Sequence, residues 1–120
     1  TRRAIVRVLD KQQYETLPEG LPIPQDDGAA KHLVGMQLPA IALSSTRAEV
    51  ISLRKLQGWT VIFVYPMTGR PGVALPEGWD AIPGARGCTP QTCRFRDYYD
   101  RFRALSCEVY GLSTQSTAYQ

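Results

Sequence analysis

The stretch Gly87-Cys-Thr-Pro-Gln-Thr-Cys-Arg-Phe-Arg-Asp97 places two cysteines at the beginning of a helical pattern. Thr89 is a residue type that caps helices, and Pro90 suits the first helical position because its fixed φ and missing N–H cost nothing there. A single apolar face is indicated by the residues that recur at helical spacing, which are Phe95, Tyr98, Tyr99, Phe102 and Leu105. The stretch therefore predicts one amphipathic helix capped at Thr89.

Two strand-like segments flank this helix. Residues 59–65 are dense in β-branched and aromatic side chains, which is typical of a central strand covered on both faces. Pro66 ends this strand, and a Gly/Pro-rich loop follows over residues 69–87. Residues 107–112 form the second apolar segment. The order strand, loop, helix, strand predicts a βαβ unit with a parallel pair of strands, and therefore an α/β fold.

The remainder of the chain divides into an arm and one domain. We predict an extended N-terminal arm over residues 1–32, with a short strand or helical turn at residues 4–9 and a Pro/Gly-rich run at 17–28. This arm would wrap on the domain or bind a neighbouring subunit. Within the domain, 33–120, we expect an extended segment at 35–43, a short strand at 49–53 and the beginning of a further helix at 113–120.

Composition excludes several classes of protein. The chain has 120 residues, of which 43% are hydrophobic and 21% charged, the balance of a single soluble domain. No apolar run approaches the roughly 20 residues of a membrane-spanning helix, so no membrane partner is expected. A net charge of +3, with the aromatic residues on the apolar helix face, argues against a nucleic-acid partner. Three cysteines and no secretory signal favour a reducing, cytoplasmic setting.

Cys88 has the surroundings of a reactive sulfur. The free N–H groups and positive end of a helix favour its thiolate, and Arg86, Arg94 and Arg96 are close in sequence. A thiolate can attack a peroxide and become a sulfenic acid. Cys93, five residues further on, lies well around the axis of an intact helix, so a disulfide between the two would require the first turn to unwind.

Other interpretations of the cysteines remain open from the residues alone. Cysteines near the beginning of a helix are often structural, and Cys107 fits a small hydrophobic side chain in a strand. A zinc site of three cysteines and one histidine would require Cys88, Cys93, Cys107 and His32. His32, beside the arm, is otherwise a surface residue.

The residues 87–97 resemble the signature of the peroxiredoxin Q (bacterioferritin comigratory protein) family, Gly-Cys-Thr-x-x-x-Cys-x-Phe-Arg-Asp, and the resemblance covers residues 33–120. It implies a thioredoxin-like fold, of which this chain would supply the N-terminal portion. It also implies a thiol peroxidase without metal or organic cofactor, acting on hydrogen peroxide or organic hydroperoxides. In that cycle Cys88 is the peroxidatic residue, Cys93 the resolving residue, and a thioredoxin-like dithiol protein the reductant.

The resemblance also suggests which residues support the site. The family pattern Pro-x-x-x-Thr/Ser-x-x-Cys begins at Pro66, but Ala85 stands where the hydroxyl residue is expected, so Thr68 would supply the hydroxyl if the long loop folds back. Arg86 and Arg96 are candidates to replace the family's arginine. Gly87 and Thr89 complete the motif. The alternative function is a non-catalytic redox-sensing or protein-interaction module of the same fold.

The loop over residues 69–87 contains two large apolar side chains, Trp79 and Ile82. They predict either a structural cap or a contact in a homodimer, because a loop tryptophan is a common interface anchor.

Overall fold

The computed structural model describes residues 10–17 and 19–120, so the element predicted at residues 4–9 lies outside the described part. In this described part, three α-helices, α1 (Lys11–Glu15), α2 (Cys88–Asp97) and α3 (Tyr99–Ala104), accompany four strands, β1 (Ala42–Ser44), β2 (Val50–Ser52), β3 (Trp59–Tyr65) and β4 (Cys107–Ser113). Three short 3-10 turns lie at Lys31–Leu33, Leu53–Lys55 and Trp79–Ala81.

The predicted βαβ unit is confirmed. Strands β3 and β4 pair in parallel along their whole length, from Trp59 opposite Cys107 to Tyr65 opposite Ser113. The chain between them passes through the 69–87 loop and helices α2 and α3, as a parallel connection requires. Because strands of a parallel pair end at the same edge, the ends of β3 and β4 lie together, and Pro66 follows directly on that edge.

A short hairpin precedes this unit. Strands β1 and β2 are antiparallel, with Leu43 opposite Ile51, and Ser45 donates its N–H to the carbonyl of Glu49 at 2.8 Å to close the turn. The strand predicted at 49–53 is therefore confirmed as β2. Of the extended segment predicted at 35–43, only the last two residues belong to a strand, β1, because Pro39 and the turn before it provide no regular N–H donors.

The helical region differs from its prediction in two ways. The single helix is divided at Tyr98, whose φ of −98° and ψ of 6° end α2 before α3 begins. Thr89 is not the N-cap, since α2 begins at Cys88 with Gly87 as the cap residue. The reason is that the hydroxyl of Thr89 is engaged elsewhere, as an acceptor for a distant backbone N–H.

Aromatic stacking attaches the helices to the sheet. Phe63 of β3 stacks on Phe95 of α2 with ring centroids 4.1 Å apart, and Phe95 stacks on Phe102 of α3 at 5.8 Å. Leu105, also predicted on the apolar face, is instead 75% exposed. Position 111 in β4 requires glycine, because a Cβ there would lie 2.8 Å from Cζ of Phe63.

The expectation that β3 is covered on both faces is wrong. Trp59, on the same face as Phe63, is 80% exposed and Val64, on the opposite face, is 68% exposed, so neither face of β3 is fully covered. Tyr65, at the end of the strand, is 6% exposed and is one of two buried apolar residues in the described part of the chain, with Tyr14. The burial is thus concentrated at the carboxyl end of β3, beside α2, the helix that carries Cys88 and Cys93.

The two ends of the described chain both pack near that point. The predicted arm is not wholly extended, because α1 forms within it, with Asp10 and Gln13 making a reciprocal capping box. At the other end, residues 113–120 form a turn rather than a helix, in which Tyr119 and Gln120 donate their N–H groups to the carbonyl of Ser116. None of the described helices is long and apolar enough to cross a bilayer.

Candidate active site

Cys88 is the first residue of α2 and is half-buried. No side chain caps this helix, and its first turn contains no acidic residue. Backbone N–H groups at an uncapped helix start favour a negative charge, so the position suits a thiolate sulfur. The adjacent Gly87, with φ of −76°, donates its N–H to the carbonyl of Gly84 and leads the loop directly into the helix.

The long loop folds back on the beginning of α2. Gly69 donates its N–H to Oγ1 of Thr89 over 3.1 Å, although the two residues are 20 apart in sequence. The loop is therefore closed at its base, and the chain segment 66–69 lies against the first turn of the helix. The loop therefore returns to the helix at Gly69, the residue that follows Thr68.

Thr68 is held by residues near the carboxyl end of the chain. Its N–H donates to Oε1 of Gln115 at 2.9 Å, and its hydroxyl donates to the same oxygen at 3.2 Å. The carbonyl of Thr68 accepts from the hydroxyl of Tyr119 at 3.0 Å. Gln115 and Tyr119 were missed by sequence reasoning, since the expected helix there gave no reason to point them at residue 68.

Pro66 and Tyr65 precede this segment and are also hydrogen-bonded to residues 113–120. The carbonyl of Pro66 accepts hydrogen bonds from the hydroxyls of Ser113 at 3.2 Å and Thr114 at 3.0 Å. The hydroxyl of Tyr65 donates to Oε1 of Gln120 at 2.7 Å. Burial, followed by the negative charge of Cys88, raises the pKa of Tyr65. Tyr65 therefore stays a neutral phenol to a higher pH than an exposed tyrosine would.

Sequence reasoning also missed Tyr65 as a site residue. The available signal was its position directly before Pro66, at the carboxyl end of a parallel strand, where side chains from neighbouring elements meet.

The two candidate arginines occupy different places. Arg86 has a left-handed backbone with φ of 67°, which is uncommon for a residue with a side chain, and its Nε lies 3.0 Å from Oδ1 of Asp80. Its side chain is 18% exposed, so this ion pair is partly buried within the loop. Arg96 lies on the exposed side of α2, where it pairs with Asp97 at 2.9 Å. The hydrogen bond with Asp97, and then the negative charge of Cys93, raise the pKa of Arg96. The charge of Cys93 thus acts on Arg96, while Arg86 belongs to the loop that leads into Cys88.

The cysteines are all reduced, and Cys88, Cys93 and Cys107 are each half-buried. Cys93 lies in the intact part of α2, five residues beyond Cys88. Five residues at about 100° each place the two side chains well apart around the helix axis. In this reduced conformation the pair is not positioned as a disulfide, as the sequence predicted for an intact helix.

The residues of the zinc alternative do not come together. Within residues 10–17 and 19–120, no three His, Cys, Asp or Glu side chains are gathered closely enough to hold a metal ion. Cys107 lies at the beginning of β4, opposite Trp59, and its thiol donates to the carbonyl of Glu108 at 3.5 Å. His32 is exposed, and its Nδ1 lies 2.8 Å from the carbonyl of Ala29.

Curated proteins similar to this chain are peroxiredoxins. "Peroxiredoxin Q, chloroplastic" of Sedum lineare is 30% identical over 97 residues, which are 80% of this chain and 44% of that protein. "Peroxiredoxin Q, chloroplastic" of Suaeda salsa is 33% identical over 85 residues, 70% of this chain and 33% of that protein. "Peroxiredoxin bcp1" of Schizosaccharomyces pombe is 32% identical over 124 aligned positions, 97% of this chain and 55% of that protein. No protein-family model matches the chain, and no solved structure matches it.

The chain spans about half the length, or less, of these relatives. The βαβ unit, the cysteine-bearing helix and this similarity define a peroxiredoxin with a thioredoxin-like α/β fold. Within the peroxiredoxins, the chain belongs to the peroxiredoxin Q and bcp-like family, as the motif at residues 87–97 predicted.

Proposed function

We propose that the protein is a thiol peroxidase in which Cys88 attacks hydrogen peroxide or an organic hydroperoxide. The observation that carries the proposal is the position of Cys88, at an uncapped helix start beside the closed loop base, in a chain of the peroxiredoxin Q family. The thiolate attacks the terminal oxygen of ROOH, so that a sulfur–oxygen bond forms as the O–O bond breaks. Cys88 becomes a sulfenic acid, and the leaving alkoxide or hydroxide takes a proton to become alcohol or water.

Cys93 is the resolving residue in this proposal. Its thiol sulfur attacks the sulfenic acid of Cys88, a disulfide forms, and the hydroxyl leaves as water with the thiol proton. Because the two side chains lie on different sides of α2, the first turns of the helix must unwind for this step. No side chain caps α2, so the side-chain bonds that this change must break are those of Thr89 with the Gly69 N–H and of Thr92 with the Cys88 carbonyl.

Four further residues are proposed as support for Cys88. We assign the role of the family's Thr or Ser to Thr68, because it precedes Gly69, which is bonded to Thr89 in the first turn of α2, and because its hydroxyl is itself held by Gln115. Pro66 sets the backbone from which this segment leaves β3, while Gly87 and Thr89 fix the entry into the helix. Each acts by fixing the backbone around the first turn of α2, whose free N–H groups stabilise the negative charge that leaves the breaking O–O bond.

The two arginines have separate proposed roles. Arg86 supplies a positive charge within the loop ahead of Cys88, where its pair with Asp80 keeps it from moving freely into solvent. Arg96, paired with Asp97 on the exposed side of α2, supplies a positive charge on the helix that carries Cys93.

The finer partners and setting are also part of the proposal. A thioredoxin-like dithiol protein reduces the Cys88–Cys93 disulfide by thiol–disulfide exchange, which returns both thiols and oxidises the partner. Such a reductant fits a reducing compartment, which we propose to be the cytoplasm, whereas the plant relatives carry the word "chloroplastic" in their names. Homodimer formation through the loop is supported by the 52% exposure of Ile82 beside the half-buried Trp79.

The alternative, a non-catalytic redox-sensing or interaction module, is favoured by one observation. The face of the β3–β4 sheet away from α2 leaves Val64 68% exposed, an apolar surface that a protein partner could cover. The two functions differ in one property, since a module needs no rapid reaction with peroxide.

Intact mass of the reduced protein, before and after one equivalent of hydrogen peroxide, tests the proposal. We expect rapid loss of two hydrogens, mapped by peptide analysis to Cys88 and Cys93. Cys88→Ser should abolish this change, and Cys107→Ser, a matched control in a thiol outside the site, should leave it intact. Thiols that stay reduced while peroxide persists would overturn the peroxidase and favour the module.

A further inference from the structure

Tyr14 is the most thoroughly buried apolar residue in the described part of the chain, with 3% of its surface exposed. It belongs to the five-residue helix α1, whose other residues are exposed. A helix this short does not hold itself together in water, so its place depends on what Tyr14 contacts. The contacts of Tyr14 therefore decide what the arm is for.

The ring of Tyr14 lies directly on Gly69. A Cβ added to Gly69 would fall 1.8 Å from Cε1 and 2.3 Å from Cδ1 of the ring, so any larger residue would displace the tyrosine. The hydroxyl of Tyr14 also donates to the carbonyl of Val73 at 3.4 Å. The side chain thus covers the beginning of the 69–87 loop at two points.

Gly69 connects this contact to the active cysteine. Its N–H donates to the hydroxyl of Thr89, the residue that follows Cys88 in the first turn of α2. The chain of contacts runs from Tyr14 to Gly69 to Thr89, and Thr89 must move when that turn unwinds.

We propose that Tyr14 is a positioning residue of the peroxidatic site, which acts through Gly69 and Thr89 to hold the first turn of α2 folded around Cys88. The same contact opposes the unwinding that lets Cys93 reach Cys88. The inference rests on the proposed peroxidase and assigns a role to the N-terminal arm within it. The arm is a clasp on the reduced, folded site, and it loosens when the disulfide forms.

The two chemical steps should respond to Tyr14 in opposite directions. Attack of the Cys88 thiolate on ROOH requires the folded first turn, so loss of the ring slows it. Resolution, in which the Cys93 thiol displaces water from the Cys88 sulfenic acid, requires the unfolded turn, so loss of the ring accelerates it. A residue with only a general structural role would not separate the two rates in this way.

The test compares Tyr14→Ala, Tyr14→Phe and Gly69→Ala in the full-length protein. The rate of sulfenic acid formation is measured in a Cys93→Ser background. The rate of disulfide formation is measured in the protein that retains Cys93, at peroxide concentrations high enough that this rate no longer depends on peroxide. Both rates are followed by quenched-flow mass analysis. We expect Tyr14→Ala to slow the first and accelerate the second by about tenfold each, a fraction of what burial of one aromatic ring contributes. Tyr14→Phe keeps the ring and should stay within about twofold, because its hydrogen bond to Val73 is long.

Gly69→Ala keeps the tyrosine but fills the space that its ring occupies. Because the backbone of Gly69 lies outside the left-handed region, the effect of this substitution is steric. It should reproduce Tyr14→Ala even if that variant folds poorly. Tyr98→Ala, at a 42% exposed tyrosine between α2 and α3, is the matched control and should leave the ratio of the two rates unchanged.

The failures of the two proposals are distinguishable. A wild-type protein that does not react with peroxide overturns the proposed function, and this inference with it. A reactive wild type, with both Tyr14→Ala and Gly69→Ala at wild-type rates, overturns the clasp alone. Variants whose two rates fall together, in proportion to lost folded protein, also overturn it.

Discussion

Gly69 and Thr89 are joined by a 3.1 Å hydrogen bond from backbone N–H to side-chain hydroxyl, across 20 residues of sequence. This bond closes the stretch between Pro66 and Cys88 into a loop whose two ends both lie at the first turn of α2. The inserted residues are held to one side, where Asp80 and Arg86 pair with each other.

Loss of this bond should disturb both stability and reactivity. Thr89→Val keeps the side-chain shape but leaves the Gly69 N–H without its acceptor, so we expect unfolding in urea to require about 1 kcal/mol less free energy. The rate with peroxide should fall by about tenfold, because the loop base no longer fixes the entry to Cys88. Thr89→Ser should restore both properties, and a Val variant equal to wild type would remove the bond from the account of the site.

Substitution of the resolving cysteine should stop the cycle after its first step. In Cys93→Ser, peroxide still converts Cys88 to a sulfenic acid, but no thiol follows at this position. The mass should increase by one oxygen and the product should react with dimedone, whereas the wild type shows neither. If the Ser variant still loses two hydrogens, Cys107 is the partner, and Cys107→Ser in the same background should then block the disulfide.

The hydroxyl of Thr68 should matter for the rate of peroxide attack. Thr68→Val leaves the N–H bond to Gln115 in place but removes the hydroxyl bond to the same oxygen, which loosens the segment before Gly69, so we expect a loss of about tenfold in the second-order rate constant. Stopped-flow tryptophan fluorescence measures that constant. Thr68→Ser serves as the control and should retain it, and equal rates for all three proteins would contradict the role.

Gly111 should resist enlargement because of its place in the sheet. Its Cβ position lies 2.8 Å from Phe63 and 3.1 Å from Tyr65, so Gly111→Val forces both rings out of their present positions. Overpacking of this kind destabilises by about 1–3 kcal/mol. Urea unfolding provides the measurement, and Gly58→Ala is not a suitable control because its φ of 68° adds backbone strain. Ala104→Val, at an exposed helix position, should cost well under half as much.

Stability should fall in alkaline solution through two tyrosines. Burial and the charge of Cys88 raise the pKa of Tyr65, while burial, Tyr119 and Asp80 raise that of Tyr14 against the opposite effect of Arg86. A group whose folded pKa exceeds its unfolded value, about 10 for tyrosine, holds its proton more tightly when folded. The stability it contributes is complete below about pH 10 and is lost as the pH rises through the folded values.

Urea midpoints measured from neutral pH upward should show this loss. The double variant Tyr14→Phe, Tyr65→Phe should be less stable at neutral pH and should fall less steeply above pH ~10. Tyr98→Phe, at a largely exposed tyrosine, is the control and should follow the wild type. Identical slopes for all three would show that these two phenols do not carry the alkaline transition.

The sequence by itself determined the βαβ unit, the position of the cysteines at a helix start and the family. These depend on local patterns, such as the apolar density of residues 59–65 and the Gly-Cys-Thr-Pro string, which carry their meaning wherever the chain goes. Tertiary structure decided the rest. Thr89 became an acceptor rather than a cap because Gly69 returned to it, and Tyr14 was buried in an arm predicted to be extended because a glycine 55 positions away offered a flat surface. Contacts between residues so far apart leave no periodicity in the sequence, since each is set by where two independent segments meet in space.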